Sequence, residues 1–253
     1  YTFTVTVADS GNPQRTSDPI AVVINITDVN DNDPEFDASG YTGEVDENSN
    51  NALVLTVSVS DSDIGENAES TFSIITENVP FVVNAKGEIR TNAALDREDK
   101  DSYSFVVRAT NDNNSKRKAD VAINVTVVDL NDLPPEFTNR DLFYAYSVNE
   151  STDPGLRIVQ LKATDGDLED TENSRFHFNI TAGNDEDKFS LSDNGVLKLA
   201  QELDREETAE YELTIEVFDD GNPQLTEVAE VYIAVTDAND NGPVFDNSSY
   251  LAD

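Results

Sequence analysis

The chain has 253 residues, room for about two domains of ordinary size, and its 52 acidic and 16 basic residues leave a formal charge of −36. That charge excludes ordinary nucleic-acid binding and disfavours docking on anionic lipid, because phosphates are repelled; it points instead to cations or basic partners. Without Cys there is no disulfide and no thiol chemistry, and with 37% apolar residues in regular alternation the chain is not globally disordered.

No signal peptide and no long apolar span occurs, so a membrane anchor is expected outside this stretch. In chain order, Val22, Ile24 and Ile26 alternate with Val23, Asn25 and Thr27, and a period of two predicts a half-buried strand. Residues 53–59 and 71–75 predict two more strands, and Lys86-Gly87 predicts a turn. Tyr103, Phe105, Val107 and Ala109 mark the next strand. Ile123, Val125 and Val127, alternating with Asn124 and Thr126, mark another. The second half repeats the pattern, with a turn at Asn194-Gly195. Its strands carry Tyr211, Leu213, Ile215 and Val217, then Val231, Ile233 and Val235. Several short strands per ~100 residues, with no long helical pattern, argue for sandwiches of two antiparallel sheets with seven strands each.

Acidic boxes recur in fixed order. Asp28-Val29-Asn30-Asp31-Asn32-Asp33-Pro34 returns as Asp129-Leu130-Asn131-Asp132-Leu133-Pro134-Pro135, and again as Asp237-Ala238-Asn239-Asp240-Asn241-Gly242-Pro243, at spacings of 101 and 108 residues. Leu95-Asp96-Arg97-Glu98 returns 108 residues later as Leu203-Asp204-Arg205-Glu206. Glu47 matches Glu150, and Asp61-Ser62-Asp63 matches Asp165-Gly166-Asp167. Asp9-Ser10-Gly11-Asn12-Pro13 matches Asp219-Asp220-Gly221-Asn222-Pro223, where the middle copy has Asn111-Asp112-Asn113. The register divides the chain into the end of one repeat plus a linker (1–36), whole repeats at 37–137 and 138–245, and the start of another at 246–253. The chain reads as a piece cut mid-repeat. The first partial repeat is not expected to close a core alone.

Carboxylates with Asn side chains and free carbonyls suit a hard cation. Calcium takes about 6–8 oxygen ligands at roughly 2.3–2.6 Å. Asp61-Ser62-Asp63-Ile64-Gly65 lacks the spacing of an EF-hand, and a chain with no Cys and one His does not suit zinc. The boxes lie on separate segments, so any site is assembled by folding. Asp-x-Asp pairs could serve as acid/base dyads, but no nucleophile, oxyanion site or pocket signature accompanies them, and an enzyme is not expected.

This ordered set resembles tandem extracellular repeats of the cadherin family, over the whole chain. The resemblance implies all-β, Greek-key, immunoglobulin-like sandwiches in an elongated rod, with about three calcium ions at each complete joint between repeats. For the middle joint it implies ligation by Glu47, Asp96 and Glu98 from the upper repeat. The linker adds Asp129, the Leu130 carbonyl, Asn131, Asp132 and the Leu133 carbonyl, and the lower repeat adds Asp165, Asp167, Asp219 and the Asn173 carbonyl. Leu133 departs from the usual Asn, but the family uses a backbone oxygen there. Two extra residues precede Asn173 compared with Asn67. The first joint implies Asp28, Asn30, Asp31, Asp61 and Asp63 with carbonyls of Val29, Asn32 and Asn67, its upper ligands lying outside the chain. Asn111 replaces the distal Asp and predicts a weaker site. The last joint retains Glu150, Asp204, Glu206, Asp237, Ala238, Asn239 and Asp240, and Asp9 belongs to a joint not contained here.

The implied function is calcium-dependent cell–cell adhesion through other cadherin ectodomains, homophilic or heterophilic, at the outer face of the plasma membrane. A passive spacer, or a stretch that an extracellular ligand or toxin docks on, are the alternatives. Without Trp, the strand-swap anchor of some cadherins is missing. Six sequons, at Asn25, Asn113, Asn124, Asn149, Asn179 and Asn247, suit an N-glycosylated extracellular chain. Arg97 and Arg205 are expected beside the acidic ligands, and His177 outward beside Asn179.

Overall fold

Alternating β-branched and aromatic residues form the expected strands, because a pleated strand puts every second side chain on one face. The computed structural model describes residues 1–114, 116–139 and 141–244. It contains two compact units, one over Tyr1–Val128 and one from Asp129 onward. Residues 245–253, with the Asn247 sequon and the stretch assigned to a further repeat, lie outside the described residues, as does Ser115 of the Asn113 sequon.

The first unit contains β1 (Thr2–Val5), β2 (Ile20–Val23), β3 (Glu35–Phe36), β4 (Gly40–Asp46), β5 (Leu53–Thr56), β6 (Val59–Ser60), β7 (Ser70–Ile74), β8 (Phe81–Val83), β9 (Glu88–Thr91), β10 (Ser102–Asn111) and β11 (Lys118–Val128). A four-stranded sheet runs β4-β11-β10-β7 and a three-stranded sheet runs β5-β9-β8, which is the seven-stranded sandwich. In β11, Val121, Ile123, Val125 and Val127 are buried while Ala122, Asn124 and Thr126 face water. These residues pack with Val45, Ile89, Phe105 and Val107 between the sheets, where Phe81 stacks on Phe105 at 4.9 Å. Burying each such side chain stabilises by roughly 1.5–3 kcal/mol. The first strand of the sheet, β4, pairs in parallel with the last, β11. That pairing puts the first and last strands of the four-stranded sheet side by side, with the second linker leaving from the end of β11.

The second unit repeats this with β12 (Glu136–Phe137), β13 (Phe143–Asn149), β14 (Arg157–Gln160), β15 (Ala163–Thr164), β16 (Phe176–Ala182), β17 (Phe189–Leu191), β18 (Val196–Leu199), β19 (Glu210–Asp219) and β20 (Thr226–Thr236). Its sheets run β13-β20-β19-β16 and β14-β18-β17, and β13 pairs β20 in parallel. The core holds Leu161, Leu197, Leu213, Ile215, Val231 and Ile233. The Lys86-Gly87 and Asn194-Gly195 turns have glycine at φ of +76° and +80°, a region open to Gly at no steric cost.

One expectation changes. The strand read through Ile26 ends at Val23, and Ile24 and Ile26 are exposed. The β1–β2 ribbon belongs to neither hydrophobic cluster, so alternation there has no facing sheet to cover it.

Candidate metal centres

The Glu boxes are built where β4 and β13 end. Glu47 follows β4, its amide bonded to the Val128 carbonyl at 3.0 Å, and its side chain is almost wholly buried. The Arg97 amide donates to Glu47 Oε2 at 2.9 Å, which swings the Asp96-Arg97-Glu98 turn inward. The Asp99 amide in turn donates to Asp96 Oδ1 at 3.0 Å. Oxygens of Glu47, Asp96 and Glu98 converge within 4.8 Å of one another. Burial, then the Glu47 charge, pushes the Glu98 carboxyl up, while the Arg97 guanidinium against it pulls the other way.

Glu150, Asp204 and Glu206 converge identically in the second unit. There the Arg205 amide at 2.6 Å and the Ala238 amide at 2.5 Å donate to Glu150 and hold its carboxyl below the usual range. Arg205 reaches Glu206 at 2.8 Å and Asp237 at 2.9 Å, so both Arg residues stand beside the acids as expected.

The second acidic box of the second unit is more deprived of donors. Asp167 and Asp219 are 3% and 0% exposed. The Asp167 amide caps Asp165 Oδ1 at 2.9 Å, the turn geometry an Asp-x-Asp sequence favours. Asp219 accepts the amides of Gly221 at 3.0 Å and Leu225 at 3.1 Å, and the Asn131 amide at 3.1 Å. A Cβ on Gly221 would come within 2.5 Å of the Asn131 side chain, so this approach needs glycine. Asn173 donates to Asp129 at 2.7 Å, as Asn67 does to Asp28 at 2.9 Å, so the two-residue insertion leaves its place unchanged.

Buried and without a well-formed hydrogen bond are Asp165 Oδ2 and both carboxylate oxygens of Asp167. Burial first, then the charges of Asp165, Asp129 and Asp132, pushes Asp167 up to about 7, which the Leu133 amide only partly offsets. Asp165 is pushed up by burial and by Asp219 and Asp129. Buried carboxylates without donors cost several kcal/mol per charge unless a cation pairs them. The set is all oxygen, the hard donor set of calcium, so these residues fit that ion.

The first unit has the same frame with more donors. Asp63 caps on Asp61 at 2.9 Å, and the side chain of Asn32 donates to Asp63 at 2.5 Å with its amide at 3.1 Å. That side-chain bond above all holds the Asp63 carboxyl below its usual range. Leu133 stands where Asn32 does and has no side-chain donor; its side chain instead packs over Gly166, where a Cβ would lie 2.5 Å away. The Leu substitution is therefore felt at Asp167. Asn30 and Asn111 are joined at 2.6 Å, and Asp31 accepts from Asn32 at 3.0 Å. Val29 and Leu130 have exposed side chains, consistent with positions that could offer only a carbonyl. The Asp240 amide turns back on the Ala238 carbonyl at 2.9 Å, and Asn239 is exposed. Asp9 adopts the Asp219 turn, accepting from Gly11 at 3.1 Å and Arg15 at 3.0 Å. His177 lies on the outer face with Asn179, bonded to Asp220 at 3.2 Å. Sequence reasoning missed Arg117, which reaches Asp33 at 2.9 Å; its signal was the register, since it stands six residues after Asn111 as Leu225 stands after Asp219.

The family profile described as the cadherin domain matches residues 41–128 and 144–236. The chain belongs to the cadherin family. It is 35% identical to Protein dachsous of Drosophila melanogaster over 99% of its length, and 35% identical to mouse Cadherin-23 over 99%. The chain spans only 7% and 8% of the length of those relatives. Among solved structures it is similar to mouse Cadherin-23 EC22-24, with a TM-score of 0.73 and 29% identity over 94% of this chain and 74% of that one. Protocadherin gammaB7 EC3-6, solved as a cis-dimer, gives 0.75 and 27% over 92% and 58%. Cadherin domains bind calcium and are adhesion modules rather than enzymes.

Proposed function

We propose that this chain is part of a calcium-dependent adhesion ectodomain whose middle joint is stiffened by calcium. The observation that carries the reading is the buried carboxylate pair Asp165–Asp167, three of whose oxygens lack a well-formed hydrogen bond. Glu47, Asp96 and Glu98 would supply one half of the joint. Asp129, Asn131, Asp132, Asp165, Asp167 and Asp219, with carbonyls of Leu130, Leu133 and Asn173, would supply the other, around about three calcium ions. Eight carboxylates against three divalent cations leave two net negative charges. Without metal, two such charges ~4 Å apart repel by about 4 kcal/mol at an effective dielectric near 20. Calcium would tie repeats at about 37–137 and 138–245 to one linker. At the 10⁻⁴–10⁻³ M affinities of extracellular calcium modules, the joint fills outside cells and empties inside.

Family membership supports placement on the outer face of the plasma membrane with other cadherin ectodomains as partners, and exposed Asn124 and Asn179 suit N-glycans. Sedimentation velocity in millimolar calcium and in chelator tests the reading. A calcium-dependent change from a flexible to a stiff, elongated particle is expected, with a calcium-dependent dimer if these repeats carry an adhesive surface. Identical behaviour in both buffers refutes it.

A further inference from the structure

We propose that the acidic cradle after the first linker carries its own cation: Arg117, with the amide of Asn111, takes the place that one calcium ion takes beside Asp165 and Asp167. The inference deepens the calcium reading above and rests on it.

The register makes the comparison direct. The Asn111 amide bonds the Arg117 carbonyl at 3.0 Å, as the Asp219 amide bonds the Leu225 carbonyl at 3.1 Å. Arg117 thus stands at the position of Leu225, and Asn111 at that of Asp219. Exchanging Asp for Asn and Leu for Arg removes two units of negative charge from the first cradle, and Asp33, where the second linker has Pro134, restores one, so the first cradle is one charge less negative than the second.

The geometry shows where the substitution acts. Arg117 Nε donates to the Asn30 carbonyl at 3.2 Å, and its Nη1 pairs Asp33 at 2.9 Å. A guanidinium stays charged at any relevant pH, and its planar fork holds two acceptors at once. Asn111 Nδ2 donates to the Asn67 carbonyl and to Asp61 Oδ2, the latter at 3.3 Å. The counterparts of the Asn173 carbonyl and of Asp165, which calcium would take in the second unit, are thus bonded by Asn111 in the first, while Arg117 sets a fixed positive charge on the linker beside them. Among the described residues, no oxygen of Asp61 or Asp63 is buried without a partner, whereas three oxygens of Asp165 and Asp167 are. The carboxylates of the first cradle are thus met by protein donors, and Asn30 Oδ1 is its one buried side-chain oxygen without a partner among the described residues.

The test uses the whole chain. Calcium binding is counted by isothermal titration, and hydrogen exchange is followed in calcium and in chelator at 28–33, 61–67, 129–133 and 165–173. In the unmodified chain, calcium should slow exchange roughly tenfold or more at 129–133 and 165–173, and by less than about twofold at 28–33 and 61–67. The double variant N111D/R117L gives these two positions the residues of the second cradle and leaves Asn32 and Asp33 in place. It should bind one more calcium ion and gain roughly tenfold protection at 28–33 and 61–67. Both proteins share every other ligand, so the gain isolates Asn111 and Arg117. Unchanged exchange in β10 and β11 in chelator confirms that the variant is folded. Equal calcium protection at the two linkers of the unmodified chain overturns the inference, and this outcome needs no variant. A folded double variant that gains neither ion nor protection overturns it too. Calcium-insensitive exchange at 129–133 and 165–173 overturns the calcium reading itself, and this inference with it.

Discussion

Asp167→Asn should stabilise the second unit without calcium and weaken it with calcium. The carboxylate is 3% exposed and its oxygens lack well-formed donors. Burial and neighbouring acids raise it to about 7. A raised carboxyl binds its proton more tightly folded than unfolded. In chelator, its cost is therefore absent below the unfolded value near 4, grows as pH rises, and is complete above 7. The shift sets a ceiling of about 4 kcal/mol, and the penalty for one buried unsatisfied polar group sets a working figure of about 1–3 kcal/mol. Asn keeps the shape and removes the charge. In chelator at pH 8 the variant should gain about 1–3 kcal/mol, and at pH 4.5 much less. In millimolar calcium the ion selects the charged form, so the order reverses. Urea denaturation at both pH values, with calcium and with chelator, reads all four cases. Equal stability of the two proteins in chelator at pH 8 would refute the argument that these carboxylates lack partners.

Four other outcomes are expected. Glu47→Gln removes a carboxylate from a cluster converging within 4.8 Å and should weaken calcium binding roughly tenfold or more, read by titration calorimetry. Gly183→Ala should cost about 2–4 kcal/mol in denaturant, because φ is +82° and the new Cβ would lie 1.8 Å from the Glu212 carbonyl; a loss below about 1 kcal/mol would mean the backbone after β16 yields freely. Asp120→Asn breaks a surface pair with Arg108, bidentate at 2.7 Å. Arg108 holds the Asp120 carboxyl below its usual range, so the contribution is present above pH ~4 and fades below; it should stay under about 1 kcal/mol in a thermal melt. Glycopeptide mass spectrometry of chain secreted from animal cells should find sugar on Asn124 and Asn179 but not on Asn149, whose amide nitrogen is bonded to the Asp237 carbonyl at 2.9 Å.

Periodicity located the strands well where a sheet covers them. Val121 to Val127 alternate in burial as they alternate in polarity. The same signal at Ile24 and Ile26 failed, because alternation states which residues share a face and not whether anything covers that face. Recurring boxes identified the acids that meet, and Asn173 met Asp129 despite its insertion because the turn, not the residue count, sets its place. Leu133 looked harmless when only its carbonyl was considered. Its missing side-chain donor became visible once Asn32 was seen bonding Asp63.

By itself the sequence determined the repeat, the strand periods, the oxygen-only chemistry and the family, since these depend on residue types and short spacings. Tertiary structure alone decided the parallel pairing of β4 with β11, which joins segments about 80 residues apart. It alone showed which carboxylates are buried without a well-formed hydrogen bond and which are answered by Arg117 or Asn32. Partnering of a charge depends on where chain segments far apart in sequence come to rest, and no local pattern encodes that distance.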